Sequence, residues 1–284
     1  MKILVTGFTG QLGFDVVREG LENGFQMVGI GSNDLDITNE RAVNQYVKDM
    51  KPDAIIHCAA YTAVDKAEDD KETCLNVNVK GTKIIANAAK EVNAKFMYIS
   101  TDYVFNGVGD VPFTEEDKPQ PVGYYGQTKY EGEQAVQAIL THYFIVRISW
   151  VYGMNGNNFV KTMLRLAETR DELNVVGDQV GSPTYTFDLS RLLIDMIQTD
   201  KYGIYHASNE GFCSWAEFAK EIFTQAGKNV KVNSITTAEY PTRALRPSNS
   251  RMSKQKLVDN GFQPLPKWQD SLKHYIKQLL HEVK

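Results

Sequence analysis

Apolar residues follow two alternating patterns through the first half of the chain. Short, nearly continuous apolar runs occupy residues 3–5, 26–30, 54–60, 96–101 and 144–149. Between the runs, apolar residues recur at helical spacing, as at Leu12, Val16 and Leu21. The runs are typical of strands buried on both faces, and the spaced residues are typical of amphipathic helices. The alternation predicts an α/β fold with a doubly wound parallel sheet and right-handed crossovers.

After about residue 150, helical spacing dominates the pattern. It covers residues 157–170, 186–198, 215–226 and 268–282, and short strand candidates at 173–176 and 203–206 are each placed to return to the main sheet. We predict an NAD(P)-binding domain of residues 1–152 with returning segments near 173–210. We also predict a smaller, mostly helical C-terminal substrate-binding lobe made of residues 153–172 and 211–284. The cleft between the two is the expected ligand site.

Composition and charge narrow the class of protein. Of the 284 residues, 42% are hydrophobic and 23% are charged, and the formal net charge is −4. These ordinary values exclude a disordered or fibrous chain, and the mild negative charge gives no general attraction for nucleic acid. No apolar run approaches the roughly 20 residues of a membrane span, and three widely spaced cysteines suit a reducing compartment. We therefore expect a cytoplasmic protein without nucleic-acid or membrane partners.

A glycine-rich turn directly follows the first predicted strand. Gly7, Gly10 and Gly13 are spaced G-x-x-G-x-x-G and lead into the first amphipathic helix. Glycines at these positions allow a tight turn and a close approach of backbone to a pyrophosphate, and the helix N-terminus favours the phosphate charge. The position of the turn, between strand and helix, predicts a Rossmann-type dinucleotide-binding domain.

The expected cofactor is NADPH or NADH, with NADPH slightly favoured. The end of the second strand, residues 30–33, carries neither an acid nor an arginine. The residues that usually distinguish NADH from NADPH at the adenosine ribose are therefore missing from this position. The cofactor-binding residues are expected in the glycine turn, after the second strand, after the third strand and in one later helix. They are Gly7, Thr9, Gly10, Gln11, Leu12, Gly13, Asp36, Ile37, Ala59, Ala60, Thr62, Tyr125 and Lys129.

A tyrosine and a lysine four residues apart suggest proton chemistry. In a helix starting near residue 124, Tyr125 and Lys129 share one face, whereas Tyr124 lies about 140° away from Lys129. A nearby ammonium lowers the phenol pKa from its ordinary value of about 10, so Tyr125 is the candidate general acid towards a carbonyl. Thr101, with Ser100 as the alternative, supplies a hydroxyl at the end of the fourth strand.

Several motifs together resemble the extended short-chain dehydrogenase/reductase superfamily, and within it the dTDP-4-dehydrorhamnose reductases. They lie in the order of the chain at residues 57–65 (HCAAYTAVD), 100–105 (STDYVF), 125–133 (YGQTKYEGE), 147–153 (RISWVYG) and 246–251 (RPSNSR). The resemblance implies that NAD(P)H reduces the C4 ketone of dTDP-4-dehydro-L-rhamnose to dTDP-L-rhamnose, the last step in making that activated sugar. It also implies the roles of Tyr125 as proton donor, Lys129 as ribose-binding residue and Thr101 as hydrogen-bond donor to the substrate.

A loop rich in proline and arginine, predicted at residues 240–252, is called here the late loop. Together with the resemblance, it indicates where a nucleotide-sugar substrate binds. Guanidinium groups form paired bonds to diphosphate oxygens, which suits the arginines near residue 246. The expected substrate-binding residues lie at strand ends, at one helix start and in the late loop. They are Thr101, Asp102, Tyr103, Trp150, Asn158, Phe159, Arg246 and Arg251.

Some members of the family that the sequence resembles form dimers bridged by Mg²⁺ through acidic side chains. Asp15 matches one acidic ligand, but the helix at residues 188–191 lacks an adjacent acidic pair, and the histidines have no ligand spacing. We therefore expect no bound metal and a monomer or homodimer.

Rival functions share the same fold. A sugar-nucleotide 4-epimerase, a 4,6-dehydratase or a reductase of a related 4-keto-6-deoxy sugar keeps the tyrosine and the lysine. A dehydratase typically carries two acids after the hydroxyl residue, whereas here Tyr103 follows Asp102. The non-enzymatic alternative is a regulatory subunit of the methionine adenosyltransferase type.

Overall fold

The strands of the protein were located in a computed structural model, which describes residues 1–282. The first five strands coincide with the five apolar runs of the first half of the chain. The strands are β1 (Lys2–Thr6), β2 (Gln26–Ile30), β3 (Ala54–His57), β4 (Lys95–Thr101), β5 (Tyr143–Ile148), β6 (Val151–Tyr152), β7 (Glu172–Val176), β8 (Val180–Gly181), β9 (Thr184–Tyr185), β10 (Gly203–His206), β11 (Cys213–Ser214), β12 (Lys231–Ile235) and β13 (Asn249–Ser250).

Helices alternate with the strands and dominate the second half of the chain. They are α1 (Gln11–Glu22), α2 (Glu40–Met50), α3 (Val64–Ala67), α4 (Lys71–Leu75), α5 (Thr82–Glu91), α6 (Tyr124–Ile139), α7 (Phe159–Leu166), α8 (Thr186–Ile197), α9 (Trp215–Gln225), α10 (Gln255–Asp259) and α11 (Trp268–Glu282). A π-helical segment, Asn76–Gly81, joins α4 to α5. Within residues 1–282, none of the helices has the length and apolar character needed to cross a membrane.

The main sheet is six-stranded and parallel, in the order β10-β5-β4-β3-β1-β2. The chain passes from β1 to β2 on one side and to β3 on the other, so the carboxyl ends of β1 and β3 border a crevice. Ligands of doubly wound sheets bind at such switch points. The predicted fold class is confirmed.

Alternate residues of the strands face two separate cores. Ile3 and Val5 of β1 join a cluster that includes α1 and α8, whereas Leu4 joins a cluster that includes α2 and α5. Because successive side chains of a strand point to opposite faces, a continuous apolar run fills both layers at once. The glycine turn after β1 is thereby fixed between two packed layers.

The smaller lobe has its own core of aromatic and aliphatic residues, contributed by α7, α9 and α11. Of the two segments expected near residues 173–210 to return to the main sheet, β10 does so and pairs with β5. The other, β7, instead pairs with β12 in a separate two-stranded sheet. The last two residues assigned to this lobe, 283 and 284, lie outside the described residues.

Candidate active site

The glycine turn passes directly against the end of β3. Gly7 has a φ of +72°, and a Cβ placed there would lie 2.7 Å from the backbone nitrogen of Ala59. A Cβ at Gly13 would overlap the carbonyl group of Gly7. Both positions therefore require glycine, and the turn leaves backbone rather than side chains at the mouth of the crevice.

A cavity of about 800 Å³, the first cavity, lies over the carboxyl ends of β1, β3 and β4. Every residue that the sequence predicted to bind the cofactor lines it, from the glycine turn to Lys129. Sequence reasoning missed Gly31, Ser32 and Tyr61, which also line it. The signal for the first two was their position immediately after β2.

The first cavity fits a dinucleotide. The N-cap of α1 is Gly10, which provides no side-chain cap, so backbone N–H groups at the helix start remain for a pyrophosphate. At the end of β2, Asp34 accepts a hydrogen bond from the Gly31 backbone at 2.7 Å, and Asp36 accepts two from Thr38. These bonds hold the pKa of Asp36 below its usual value. Ser32, rather than an acid, follows the strand end, which leaves the ribose side open to NADPH as well as NADH.

Tyr125 and Lys129 lie on one face of α6, one turn apart, and both line the first cavity. The helix begins at Tyr124, whose backbone N–H donates to the Glu68 carboxylate at 2.8 Å. Tyr125 is 9% exposed and Lys129 is 2% exposed. The spacing predicted from the sequence therefore brings the phenol and the ammonium to the same wall.

The Lys129 side chain is held from two sides. Its Nζ donates to the Ile99 carbonyl at 2.7 Å and lies 4.1 Å from the ring centre of Tyr98. Burial lowers the pKa of Lys129 to about 7, while the charge of Glu133 acts in the opposite direction. Burial thus disfavours the cationic form of this lysine, and the Glu133 carboxylate favours it.

Tyr125 is a phenol rather than a phenolate. Burial raises the pKa of Tyr125 above its ordinary value, although the Thr101 hydroxyl beside it opposes this shift. The sequence predicted a pKa lowered by Lys129, whereas in the structure removal from water is the largest effect on the Tyr125 pKa and Thr101 is the group that opposes it. A protonated phenol is the form that can donate a proton to a carbonyl oxygen.

Thr101 and Ser100 take different directions at the end of β4. The Thr101 hydroxyl donates to Asp102 Oδ1 at 3.0 Å and lines the first cavity, whereas the Ser100 hydroxyl donates to Glu133 Oε1 at 2.5 Å. Burial raises the pKa of Asp102 to about 6. Its Oδ2 atom is buried without a hydrogen-bond partner among the described residues. Thr101 rather than Ser100 therefore stands beside Tyr125.

A second cavity of about 1100 Å³ opens beside the first and is lined mainly by the smaller lobe. Tyr103 and Trp150 line both cavities. Trp150 has a φ of +49°, a strained value for a bulky residue, and its ring stacks on Trp215 with centres 3.7 Å apart. Phe159 and Arg246, both predicted substrate-binding residues, line the second cavity.

Arg246 reaches from the late loop to the larger domain. Its guanidinium donates to the Tyr103 hydroxyl at 2.9 Å and to the Asp65 carboxylate at 2.6 Å. Tyr103 in turn packs edge-on against Tyr125, with ring centres 5.6 Å apart. The arginine thus connects the second cavity to the wall that carries the phenol.

Two predicted substrate residues lie outside both cavities. Asn158 caps α7 through the backbone of Lys161 at 3.0 Å and donates to Gln11 Oε1 at 3.0 Å. Arg251 donates to the side chain of Asn249 at 3.0 Å. In contrast, Trp215 lines the second cavity and was missed, although the helical spacing over residues 215–226 placed it in the first turn of α9.

The residues at Asp15 do not fit a bridging metal. The side chain is buried and accepts a hydrogen bond from Thr186 Oγ1, and burial raises the pKa of Asp15. Across residues 1–282 there is no group of three His, Cys, Asp or Glu side chains arranged to hold a metal ion.

Comparisons with known proteins agree with this geometry. Residues 1–281 match the family model of the RmlD substrate binding domain. A dTDP-4-dehydrorhamnose reductase of Aggregatibacter actinomycetemcomitans is 42% identical, covering 96% of this chain and 97% of its own. The solved structure of a Clostridium acetobutylicum dTDP-4-dehydrorhamnose reductase has a TM-score of 0.96 and 45% identity, covering 99% of this chain and 100% of the other. A Bacillus anthracis dTDP-4-dehydrorhamnose reductase in complex with NADP has a TM-score of 0.95 and 44% identity, covering 98% and 99%.

Proposed function

The chain belongs to the RmlD substrate binding domain family, that of the dTDP-4-dehydrorhamnose reductases, and from this premise we propose that it reduces the C4 ketone of dTDP-4-dehydro-L-rhamnose to dTDP-L-rhamnose. It is an oxidoreductase that uses NADPH or NADH. The similarity to reductases favours this function over an epimerase, a dehydratase or a regulatory subunit.

One observation carries the mechanistic proposal. A protonated phenol, a buried ammonium and a strand-end hydroxyl line the same cavity as the glycine turn. The reduced nicotinamide, when bound there, supplies a hydride to C4 of the sugar. Thr101 donates a hydrogen bond to O4, and Tyr125 gives O4 its proton as the carbonyl electron pair moves onto that oxygen. Lys129 binds the nicotinamide ribose and stabilises the phenolate that results.

We assign the nucleotide part of the substrate to the second cavity. Its wall carries the stacked pair Trp150 and Trp215, which offers an aromatic surface to a base, and Arg246, whose positive charge suits a diphosphate. The sugar then lies where the two cavities meet, between Tyr103 and Trp150. Asp102 lines the first cavity beside this point and is available to sugar hydroxyls.

Replacement of Tyr125 by phenylalanine tests the proton donor. We expect kcat to fall by roughly 10²–10⁴-fold, because the variant keeps the ring but loses the donated proton. The measurement is NADPH oxidation that depends on added dTDP-4-dehydro-L-rhamnose. Tyr124→Phe is the matched control, since Tyr124 lies one position away, does not line the first cavity, and keeps its backbone bond to Glu68.

Equal turnover by the wild type and Tyr125→Phe would remove Tyr125 from the mechanism. Wild-type protein that retains NAD⁺ through dialysis and oxidises no added NADPH would contradict the reductase and favour the epimerase. A reductase must exchange its coenzyme at each turnover, whereas an epimerase recycles it in place.

A further inference from the structure

A buried ion pair lies directly behind Lys129. Glu133 follows Lys129 by one helical turn of α6 and is fully buried. Arg147 of β5 donates to both carboxylate oxygens of Glu133, from Nε at 2.9 Å and from Nη2 at 2.7 Å. Ser100 adds a third donor to the same carboxylate. Charge-assisted, two-pronged bonding of this kind holds the carboxylate in one orientation.

Apart from Arg147, which pairs with Glu133, the other titratable side chains around Lys129 are ones whose uncharged forms burial favours. Among the described residues they are His57, Cys58, Cys74, Tyr98 and Tyr125. Burial lowers the pKa of His57 to about 3 and raises the pKa of Cys58 to about 12. Burial also raises the pKa values of Cys74, Tyr98 and Tyr125. Glu133 is therefore the anion in this surrounding that offsets the cost of a buried ammonium.

We propose that Glu133, fixed by Arg147 and Ser100, is a positioning residue that favours the cationic form of Lys129 at neutral pH. The proposal rests on the proposed function, because it acts through the role of Lys129 there. It explains why Ser100 turns away from the first cavity while Thr101 turns towards it. It also assigns a function to the buried Glu133–Arg147 ion pair, because a buried ion pair by itself contributes little to stability.

The substitution Glu133→Gln removes the anion and keeps the shape of the side chain. It leaves Arg147 positive behind Lys129, so the cation of Lys129 becomes harder to hold. An opposite charge within a few ångströms moves a pKa by about 1–3 units. We expect the alkaline limb of kcat/KM for NADPH to move to lower pH by about one unit or more, with the loss about tenfold or more at pH 8 and small at pH 5.5.

A double variant separates charge from structure. Glu133→Gln with Arg147→Met removes both members of the pair and leaves no unpaired buried charge. If Glu133 acts on Lys129, the alkaline limb of the double variant stays at lower pH than in the wild type, and Glu133→Asp, which keeps the charge, restores the limb towards it. If the double variant has the wild-type pH profile, Glu133 serves only to neutralise Arg147 and the proposal is wrong.

Failure of this proposal differs from failure of the proposed function. A wild type that never couples NADPH oxidation to the ketone contradicts the function. A wild type that does so and depends on Tyr125, but whose alkaline limb is unmoved by Glu133→Gln, contradicts the role of Glu133 alone. Should Glu133→Gln fail to fold, the double variant and Glu133→Asp decide the question.

Discussion

Asp102 shows how a single buried side chain can serve the site at the expense of the fold. Its carboxylate is 4% exposed, accepts a hydrogen bond from Thr101 and lies beside the Ser250 hydroxyl, while its Oδ2 atom has no partner in good hydrogen-bonding geometry among the described residues. A buried acceptor without a donor costs free energy in the folded state. A hydroxyl of a bound sugar is the kind of group that would satisfy it.

Replacement of Asp102 by asparagine is expected to stabilise the protein at alkaline pH. Burial raises the pKa of Asp102 in the folded state to about 6, above its value of about 3.9 in an unfolded chain, so the folded form is destabilised as the pH rises from 4 through 6. At pH 8 the variant should unfold with a free energy about 1–3 kcal/mol higher than the wild type. Below pH 4 the two should agree.

Urea denaturation at pH 8 and at pH 4 measures this difference. A gain in stability of the same size at both pH values would show that the ionisation of Asp102 is not its source. The KM for the nucleotide sugar should rise in the variant, because an amide offers the sugar hydroxyls one strong acceptor fewer.

The glycine turn and α1 act as one element, and its packing allows no Cβ at residue 13. We expect Gly13→Ala to lower the free energy of unfolding by about 1–2 kcal/mol, since overpacking outweighs the gain in helix propensity. Gly10→Ala is the matched control, because a Cβ there would lie 3.2 Å from the Gly7 carbonyl oxygen and requires only a small shift. Thermal or urea denaturation without coenzyme compares them, and equal losses would contradict the packing argument.

The local features of the site and the parallel sheet could be predicted, whereas the sheet that β7 joins could not. The Tyr125–Lys129 face follows from one helical turn, and the glycine turn follows from its neighbours in the chain. The apolar run of β7 is the same whether it joins β5 or β12, so its place outside the main sheet was not predictable from its own residues.

Polar residues were the harder part of the site to assign. Asn158 has a side chain suited to a ligand, but the structure uses it as a helix cap. Trp215 reaches the second cavity only because α9 packs against α7, a contact between elements far apart in the chain. A sequence pattern records the kind of side chain, whereas its partner is set by the tertiary fold.

The late loop ties the two parts of the molecule together. Asp65 in α3 accepts hydrogen bonds from Arg246 at 2.6 Å and from the Ala244 backbone at 3.0 Å, and nearby Arg243 pairs with Asp69. Arg246 and Asp65 are partly shielded, whereas Arg243 and Asp69 are largely exposed. Exposed pairs contribute little, so Asp65 is expected to hold the loop.

Removal of the Asp65 carboxylate should loosen this loop without unfolding the protein. In Asp65→Ala we expect amide hydrogen exchange in residues 240–250 to become about tenfold faster, which corresponds to the loss of about 1.4 kcal/mol of hydrogen bonding. Asp69→Ala is the control, and there the change should be about threefold or less. Exchange followed by mass spectrometry measures both, and equal effects would show that Asp65 has no special part in holding the loop.

The meeting of the two cavities at Tyr103 and Trp150 has a consequence for substrate choice. In the proposed binding mode the reacting carbon lies where the two cavities meet, while the nucleotide part of the substrate lies in the second cavity. Contacts between the protein and the nucleotide orient the sugar ring relative to the coenzyme. A free keto sugar without its nucleotide would lack these contacts. We therefore expect it to bind more weakly and to be reduced with a lower kcat.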